Sequence, residues 1–249
     1  MLKNLIQNGY VAAPVNLVIY SAEGVGKSTF AANAPAPLFI DFEKGSNFLN
    51  VSRIKPDSYG HFLEILKMLE TEEHQFQTLV VDSVDFAEQL ISDYVCRQHK
   101  KNNIEEWGYG AGYKYLAKEF INFLNTVDRL RLHKAMNIIF IAHSTIKKFE
   151  DPRLQQSYDR YTLKLHHSNA DRLKESCDFL FYATYQDMTV GGADNTKARG
   201  ISTGKRQLMT QRTPAYDAKT RVPLPTELDL SWQAFYEALY PNTKANQAA

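Results

Sequence analysis

The sequence predicts an α/β protein built on a mainly parallel β-sheet with helices on both faces. Short apolar runs rich in β-branched residues recur along the chain, and stretches with apolar residues at helical spacing lie between them. Several of the apolar runs end directly in polar or charged residues. Strands that alternate with helices favour parallel pairing through right-handed crossovers.

Five strands are predicted from the apolar runs, and the first of them (NLVIY) leads directly into a loop of small residues. The predicted strands cover residues 16–20, 38–40, 78–81, 137–142 and 178–185. A segment rich in Gly, Thr, Asp and Asn at 188–204 predicts an exposed hairpin or mobile loop. Residues 208–213 and those up to 222 then predict an antiparallel C-terminal extension of the sheet.

A helix is predicted to begin at Lys27, and further helices are predicted at 61–70, 88–98, 113–132, 170–176 and 231–240. In the segment 113–132 the apolar residues fall on one stripe, which is typical of a helix packed on a core. We expect one domain over residues 1–241 and a disordered tail over 242–249.

The composition is that of a soluble globular protein, with 44% hydrophobic and 23% charged residues among 249. A formal net charge of +1 gives no global basic field, so contact with nucleic acid must use local patches. Cys96 and Cys177 are too few for a disulfide framework and lack the spacing of zinc ligands. The chain lacks both an apolar run of about 20 residues and the features of a signal peptide at its start. We therefore expect a cytoplasmic protein with no membrane partner.

The segment Ser21-Ala22-Glu23-Gly24-Val25-Gly26-Lys27-Ser28 follows a predicted strand and opens a helix, which is the context of a phosphate-binding P-loop. Lys27 is expected to reach the β- and γ-phosphates of ATP, and the Ser28 hydroxyl to bind Mg²⁺. Thr29 adjoins the loop without an assigned role. Ser21 stands where the usual pattern has Gly, and its small side chain predicts tolerance. The alternative is a glycine-rich turn whose lysine is merely solvated.

Acidic residues at strand ends are the candidates for the remaining chemistry. Asp82 resembles the Walker B carboxylate that positions Mg²⁺; capping the next helix is its alternative role, although Asp85 fits that role better. Glu43 is the candidate for orienting and deprotonating the attacking water, with a surface role as the alternative. His143 and Ser144 end a predicted strand at the same edge of the sheet. They could sense the γ-phosphate, or serve the core or a helix cap.

The order of these residues resembles the RecA-like recombination ATPases, especially the phage single-strand annealing and recombinase group of phage AAA nucleotide-binding proteins. The resemblance covers roughly residues 16–225, and only the P-loop is sharply specific. It implies a RecA-like P-loop NTPase fold, with Glu43 in the acidic run that carries the catalytic glutamate and His143 as the polar residue that links the γ-phosphate to DNA-binding loops. The pair Lys219 and Arg221 looks like the basic residues that enter a neighbouring subunit's ATP site. An ordinary solvated strand face is the alternative for that pair.

Two basic and aromatic segments are candidates for contact with single-stranded DNA, which is held by phosphate pairing and base stacking. The segment 147–167 contains Lys147, Lys148, Arg153, Tyr158, Arg160, Tyr161 and Lys164, and the segment 197–212 contains Arg199, Lys205 and Arg206. An ordinary surface loop would show similar residues. The stretch 107–115 (WGYGAGYKY) is either another binding loop or a packed turn.

The preferred hypothesis is a Mg²⁺-dependent, DNA-stimulated ATPase that promotes single-strand annealing or strand exchange in phage recombination. Its expected partners are single-stranded DNA, further copies of itself with ATP sites at the subunit interfaces, and a phage single-strand-binding protein. Two alternatives stay open. One is a P-loop phosphotransferase, meaning a small-molecule or nucleotide kinase, and the other is a nucleotide-gated scaffold with little turnover.

Overall fold

Strand β1 (Asn16–Ser21) lies inside the sheet, and all six of its residues are buried. The computed structural model of the protein describes residues 13–43, 45–152, 156–190 and 199–241. Alternate residues of β1 enter different cores, with Val18 and Tyr20 on one face of the sheet and Leu17 and Ile19 on the other. Because both faces are covered, the strand is a continuous apolar run rather than an alternating one.

The sheet has a parallel centre and antiparallel additions. Within the described residues the other strands are β2 (Pro37–Asp41), β3 (Ser52–Ile54), β4 (Thr78–Asp82), β5 (Asn137–Phe149), β6 (Tyr158–Leu163), β7 (Phe179–Val190), β8 (Arg199–Met209), β9 (Lys219–Thr220) and β10 (Glu227–Asp229). The order across the sheet is β10-β8-β7-β1-β5-β4-β2-β3, with β6 paired to β5 and β9 to β7. Pairing is parallel from β7 to β3 and antiparallel for β6, β8, β9 and β10. The α/β class is confirmed, with a mixed sheet.

Helices cover both faces of this sheet. They are α1 (Lys27–Ala32), α2 (Tyr59–Thr71), α3 (Val84–Gln98), α4 (Ala111–His133), α5 (His167–Ser176) and α6 (Trp232–Leu239). Apolar residues of α2, α3, α4 and α5 form one core, and those of α1 and α6 form the other. Of the described helices, none combines the length and apolar character that crossing a bilayer requires. Both cysteines are buried free thiols, as expected.

Strand β5 is longer than the sequence predicts, and this corrects the expectation that His143 and Ser144 end it. Residues 144–149 pair antiparallel with β6, so the strand continues beyond the covered part of the sheet as one arm of a hairpin. The apolar run stops at Ala142, one residue before burial ends at His143: Ala142 is fully buried, whereas Ile146 is 58% exposed. In the described part of 188–204, β7 and β8 pair as antiparallel strands, which agrees with the hairpin, the first of the two predicted alternatives. The predicted tail 242–249 lies outside the described residues.

Phe120 tests the core between α4 and the sheet. Its ring is fully buried and packs edge-on against Phe123 at a centroid distance of 5.5 Å. We expect Phe120→Ala to lower the free energy of unfolding by about 3–5 kcal/mol, because the substitution leaves a cavity. Urea denaturation would measure this. Leu132→Ala on the same helix is the control, since Leu132 is 64% exposed; a similar loss in both variants would contradict the packing described.

Candidate functional site

The loop between β1 and α1 surrounds the ammonium group of Lys27. Lys27 Nζ donates hydrogen bonds to the carbonyl oxygens of Ser21 (3.2 Å) and Ala22 (2.9 Å) and to Ser21 Oγ (3.1 Å). Burial lowers the pKa of Lys27, while the negative charge of Asp82 acts in the opposite direction. The lysine therefore points into the loop, which argues against a merely solvated side chain. Ser21, in the position where Gly is usual, supplies two of the three oxygens.

Two glycines shape the loop. Gly24 and Gly26 have φ angles of 76° and 112°, in the left-handed region that other residues rarely adopt. A methyl group built on Gly26 would also lie 2.9 Å from Nη1 of Arg206. Between the glycines, Val25 is buried in the core shared by α1 and α6. The backbone conformation thus requires glycine at position 26, whereas the close atom of Arg206 is the end of a flexible side chain that can move.

Ser28 and Asp82 form a pair of oxygen donors beside the loop. Ser28 Oγ donates a hydrogen bond of 2.8 Å to Asp82 Oδ2. Burial raises the pKa of Asp82 to about 6, although the Ser28 hydrogen bond and the nearby ammonium of Lys27 both oppose this. A hydroxyl and a carboxylate are the hard oxygen ligands that Mg²⁺ prefers. The donor set predicted from the sequence is therefore assembled in space, at the end of β4.

Glu43 follows β2 and is fixed on both its backbone and its side chain. Its N–H donates to Asp41 Oδ1 at 3.1 Å, and its carboxylate accepts a hydrogen bond from the hydroxyl of Ser83. Asp41 itself turns inward, where it also accepts from Ser46. Asp41 thus shapes the turn that aims Glu43 over the ends of β2 and β4.

His143 joins Glu43 to helix α3. Its Nδ1 lies 2.9 Å from Asp85 Oδ2 and 3.7 Å from Glu43 Oε1, and its backbone N–H donates to Asp85 Oδ1. The hydrogen bond to Asp85 raises the pKa of His143 against the opposing effect of burial. Burial alone would raise the pKa of Asp85, but its hydrogen bonds with His143 lower it overall. Asp85, in the first turn of α3, orients the histidine.

These groups line one cleft, and the cleft includes a residue that sequence reasoning assigned elsewhere. Glu23, Gly24, Gly26, Lys27, Ser28, Thr29, Glu43, Asp82, His143 and Arg206 all contribute to its wall. Arg206 was predicted as a DNA contact, yet its guanidinium lies beside the P-loop. The signal that would have found it is the pairing of β8 with β7, which places Arg206 opposite Tyr185.

Lys219 and Arg221 lie at the other edge of the sheet. Strand β9 pairs with the first residues of β7, whereas the loop follows the carboxyl end of β1. Lys219 Nζ donates to the carbonyl oxygens of Lys174 (2.8 Å), Glu175 (3.1 Å) and Cys177 (2.7 Å) at the end of α5. Arg221 Nε pairs with Asp178 Oδ1 at 2.7 Å. Both cations thus have partners within the chain, and their role in a neighbouring subunit stays a prediction without support from these contacts.

The predicted DNA-contact segments divide into exposed and buried residues. Lys147, Lys148, Tyr161 and Lys164 are exposed on or next to the β5–β6 hairpin. Arg160 corrects the expectation, because it is 3% exposed and pairs with Asp217 at 3.0 Å. Its strand position turns it inward, where the carboxylate compensates its charge. Arg153 lies outside the described residues, as does the side chain of Arg199.

The stretch 107–115 is largely a packed turn. The ring of Trp107 contacts those of His99 and Tyr115, and Gly112 sits against the carbonyl of Ile104 with no room for a methyl group. Only Tyr109 at its tip is fully exposed among its described aromatic residues.

The His143–Asp85 pair predicts a pH-dependent contribution to stability. The pKa of His143 is higher in the folded protein than in the unfolded chain, where it is about 6.5. The resulting stabilisation is therefore complete below the unfolded-state pKa and is lost as pH rises through the folded-state pKa. The pKa of Asp85 is lower in the folded protein than in the unfolded chain, where it is about 3.9. The resulting stabilisation is therefore present above the unfolded-state pKa and is lost as pH falls through the folded-state pKa. Glu43, Lys27 and Glu23 are further charged groups that interact with His143.

We therefore expect His143→Gln to destabilise the protein more at pH 5.5 than at pH 9, by on the order of 1 kcal/mol. Urea denaturation at the two pH values would measure the difference. His61→Gln is the control, since that ring pairs with Asp57 at 3.1 Å on the surface. An effect of His143→Gln that does not change with pH would contradict the ion pair.

Lys219→Met separates a structural role of Lys219 from a catalytic one. Removing the ammonium leaves three carbonyl oxygens at the end of α5 without their donor, so we expect a loss of about 1–3 kcal/mol in unfolding free energy. Nucleotide turnover per folded molecule should stay unchanged. The exposed Lys118→Met serves as control for both measurements. Reduced turnover with unchanged stability would instead support the role in a neighbouring subunit.

Comparisons with known proteins identify the family of the chain. The model of the AAA domain family AAA_24 matches residues 13–222, which include the loop and the ends of β2, β4 and β5. The chain is also 30% identical over 138 residues to the SPbeta prophage-derived uncharacterized protein YorG of Bacillus subtilis (strain 168). That alignment covers 53% of this chain and 42% of the relative, so the chain spans less than half of that protein. The chain therefore belongs to the AAA domain family of nucleotide-binding P-loop proteins.

Proposed function

We propose that this protein is a Mg²⁺-dependent ATPase that binds single-stranded DNA and acts in phage recombination, by annealing or by strand exchange. One observation carries the ATPase part: Lys27, the Ser28–Asp82 pair and Glu43 converge on one cleft at the carboxyl edge of the parallel strands. A phosphate cradle, a pair of metal donors and a general base in one place are what hydrolysis of a nucleoside triphosphate requires.

Mg²⁺ fits the donors that the chain provides. Ser28 Oγ and Asp82 Oδ2 are 2.8 Å apart, and among the described residues Asp82 is the carboxylate to which this hydroxyl donates its hydrogen bond. These two residues would hold the ion, Asp82 through its water shell, and the ion would neutralise charge on the β- and γ-phosphate oxygens. The raised pKa of Asp82 fits such a place, because a nearby cation would stabilise its charged form.

Glu43 would act as the general base of hydrolysis. Its carboxylate would accept a proton from water while the water oxygen attacks the γ-phosphorus and the bond to the ADP oxygen breaks. Ser83 donates a hydrogen bond to Oε1 of Glu43, and His143 Nδ1 lies 3.7 Å from the same oxygen, so the carboxylate is positioned over the cleft before the reaction. Lys27 would stabilise the charge on the transferred phosphoryl group.

DNA contact and a phage context have separate support. The β5–β6 hairpin continues the strand that carries His143 and exposes Lys147, Lys148 and Tyr161, a combination that suits phosphate pairing and base stacking. The prophage-derived relative supports a phage context. The RecA-like resemblance supports a homo-oligomer with ATP sites at its interfaces, and a phage single-strand-binding protein as a further partner.

Two substitutions separate nucleotide binding from turnover. Lys27→Ala should weaken binding of ATP at least about tenfold, because a buried charge-assisted contact is lost. Glu43→Gln should keep ATP affinity but lower turnover by about 10²-fold or more, as expected for loss of a general base. Titration calorimetry with Mg²⁺–ATP and phosphate release would measure the two effects. Glu73→Gln is the matched control, because Glu73 is exposed and does not line the cleft.

Adding single-stranded DNA at low salt tests the recombination part. Stimulation of phosphate release that disappears in Lys27→Ala would support a DNA-dependent ATPase. Turnover that ignores DNA, together with no DNA binding in the presence of a non-hydrolysable ATP analogue, would contradict it. A P-loop phosphotransferase would then be sought with acceptor substrates, and ATP binding with almost no turnover would indicate a nucleotide-gated scaffold.

A further inference from the structure

Arg206 lies beside the P-loop on the side away from Glu43. Strand β8 brings it there by pairing with β7, which in turn pairs with β1. Nη1 of Arg206 is close enough to Gly26 that a methyl group on that glycine would lie 2.9 Å away. The backbone is fixed as well, because Arg206 O accepts a hydrogen bond of 3.0 Å from the N–H of Leu230.

Tyr185 connects Arg206 to the loop. The guanidinium carbon of Arg206 lies over the Tyr185 ring at 5.5 Å from its centroid, and the Tyr185 hydroxyl donates to Gly24 O at 3.3 Å. The planar guanidinium is thus oriented by a ring that is itself attached to the loop. Arg206 is exposed as a residue, but these contacts hold its guanidinium beside the loop.

The charge of Arg206 is not compensated by the described part of the chain. No described carboxylate lies within ion-pairing distance of it, whereas Arg160 and Arg221 each have one. Arg206 shares its cleft with Lys27, Ser28 and Thr29, and a guanidinium has five donors suited to phosphate oxygens. The local chemistry is that of an anion site.

The sheet order decides which phosphates Arg206 faces. Asp82, Glu43 and His143 belong to β4, β2 and β5 on one side of β1, and Arg206 belongs to β8 on the other side. A triphosphate whose γ-phosphate lies near Glu43 therefore has its α- and β-phosphates nearer to Gly26 and Arg206. We propose that Arg206, held by Tyr185, is a nucleotide-binding residue that contacts the α- and β-phosphates from within the same chain. This inference rests on the proposed function of the loop as an ATP site.

The test is binding of Mg²⁺–ATP and Mg²⁺–ADP, measured by titration calorimetry in the absence of DNA. Arg206→Gln should weaken both nucleotides about tenfold or more and to a similar extent, because the lost contact is to phosphates that both share. Arg206→Lys should recover part of the affinity, since it keeps the charge but not the planar fork. Lys205→Gln, one residue earlier and exposed, should bind as the wild type does.

Three results would overturn the inference. They are unchanged affinity for both nucleotides in Arg206→Gln, a loss for ATP but not for ADP, and a loss of DNA binding alone. Urea denaturation of Arg206→Gln and Arg206→Lys checks that the variants fold. Lys27→Ala distinguishes a failure of this inference from a failure of the proposed function. If Arg206→Gln binds nucleotide normally and Lys27→Ala does not bind it, only this inference fails. A wild-type protein that binds neither nucleotide ends the proposed function as well.

Discussion

The register of four parallel strands, β2, β4, β5 and β1, determines where every group of the site can be. Asp41 lies opposite Asp82, Asp82 opposite Ile141, and His143 opposite Ser21, so the four strands reach the same edge within two residues of one another. Parallel strands present all their carboxyl ends on one side, where an open α/β sheet binds ligands. A slip of one residue in any pair would exchange the residues that face the two cores and would shift the polar strand ends relative to one another.

Burying charged groups at this edge is unfavourable unless each has a partner. Three neutral oxygens surround Lys27, Ser28 donates to Asp82, and Asp85 accepts from both the ring and the backbone of His143. These contacts also fix orientation. In a partly dehydrated cleft, fixed donors and charges act on a phosphate more strongly than they would in water. The interactions that make the edge stable are thus the same ones that suit it to phosphate chemistry.

Sequence reasoning succeeded where the signal is local. The loop after the apolar run of β1, Asp82 after its apolar run, and Glu43 in the acidic stretch just beyond β2 could be read because each combines a strand end with a polar residue. It failed where the pairing of segments that are distant in the sequence determines which residues become neighbours. Nothing near Arg160 reveals that Asp217 will meet it, and nothing near Arg206 reveals Gly26 as its neighbour. Basic residues on loops and edge strands look alike until the sheet order is known.

A single strand, β5, connects the cleft to the exposed β5–β6 hairpin. His143 lies on β5 between the buried segment and the segment that pairs with β6, and Asp85 holds both its backbone and its ring. Under the proposed function, a nucleotide can influence the hairpin only through a difference in free energy between two arrangements of this strand. Because the buried part of β5 is paired on both sides, a shift of the whole strand would break many hydrogen bonds. Under the proposed function, the side-chain contact of 3.7 Å between Glu43 and His143 would therefore couple the γ-phosphate to the hairpin.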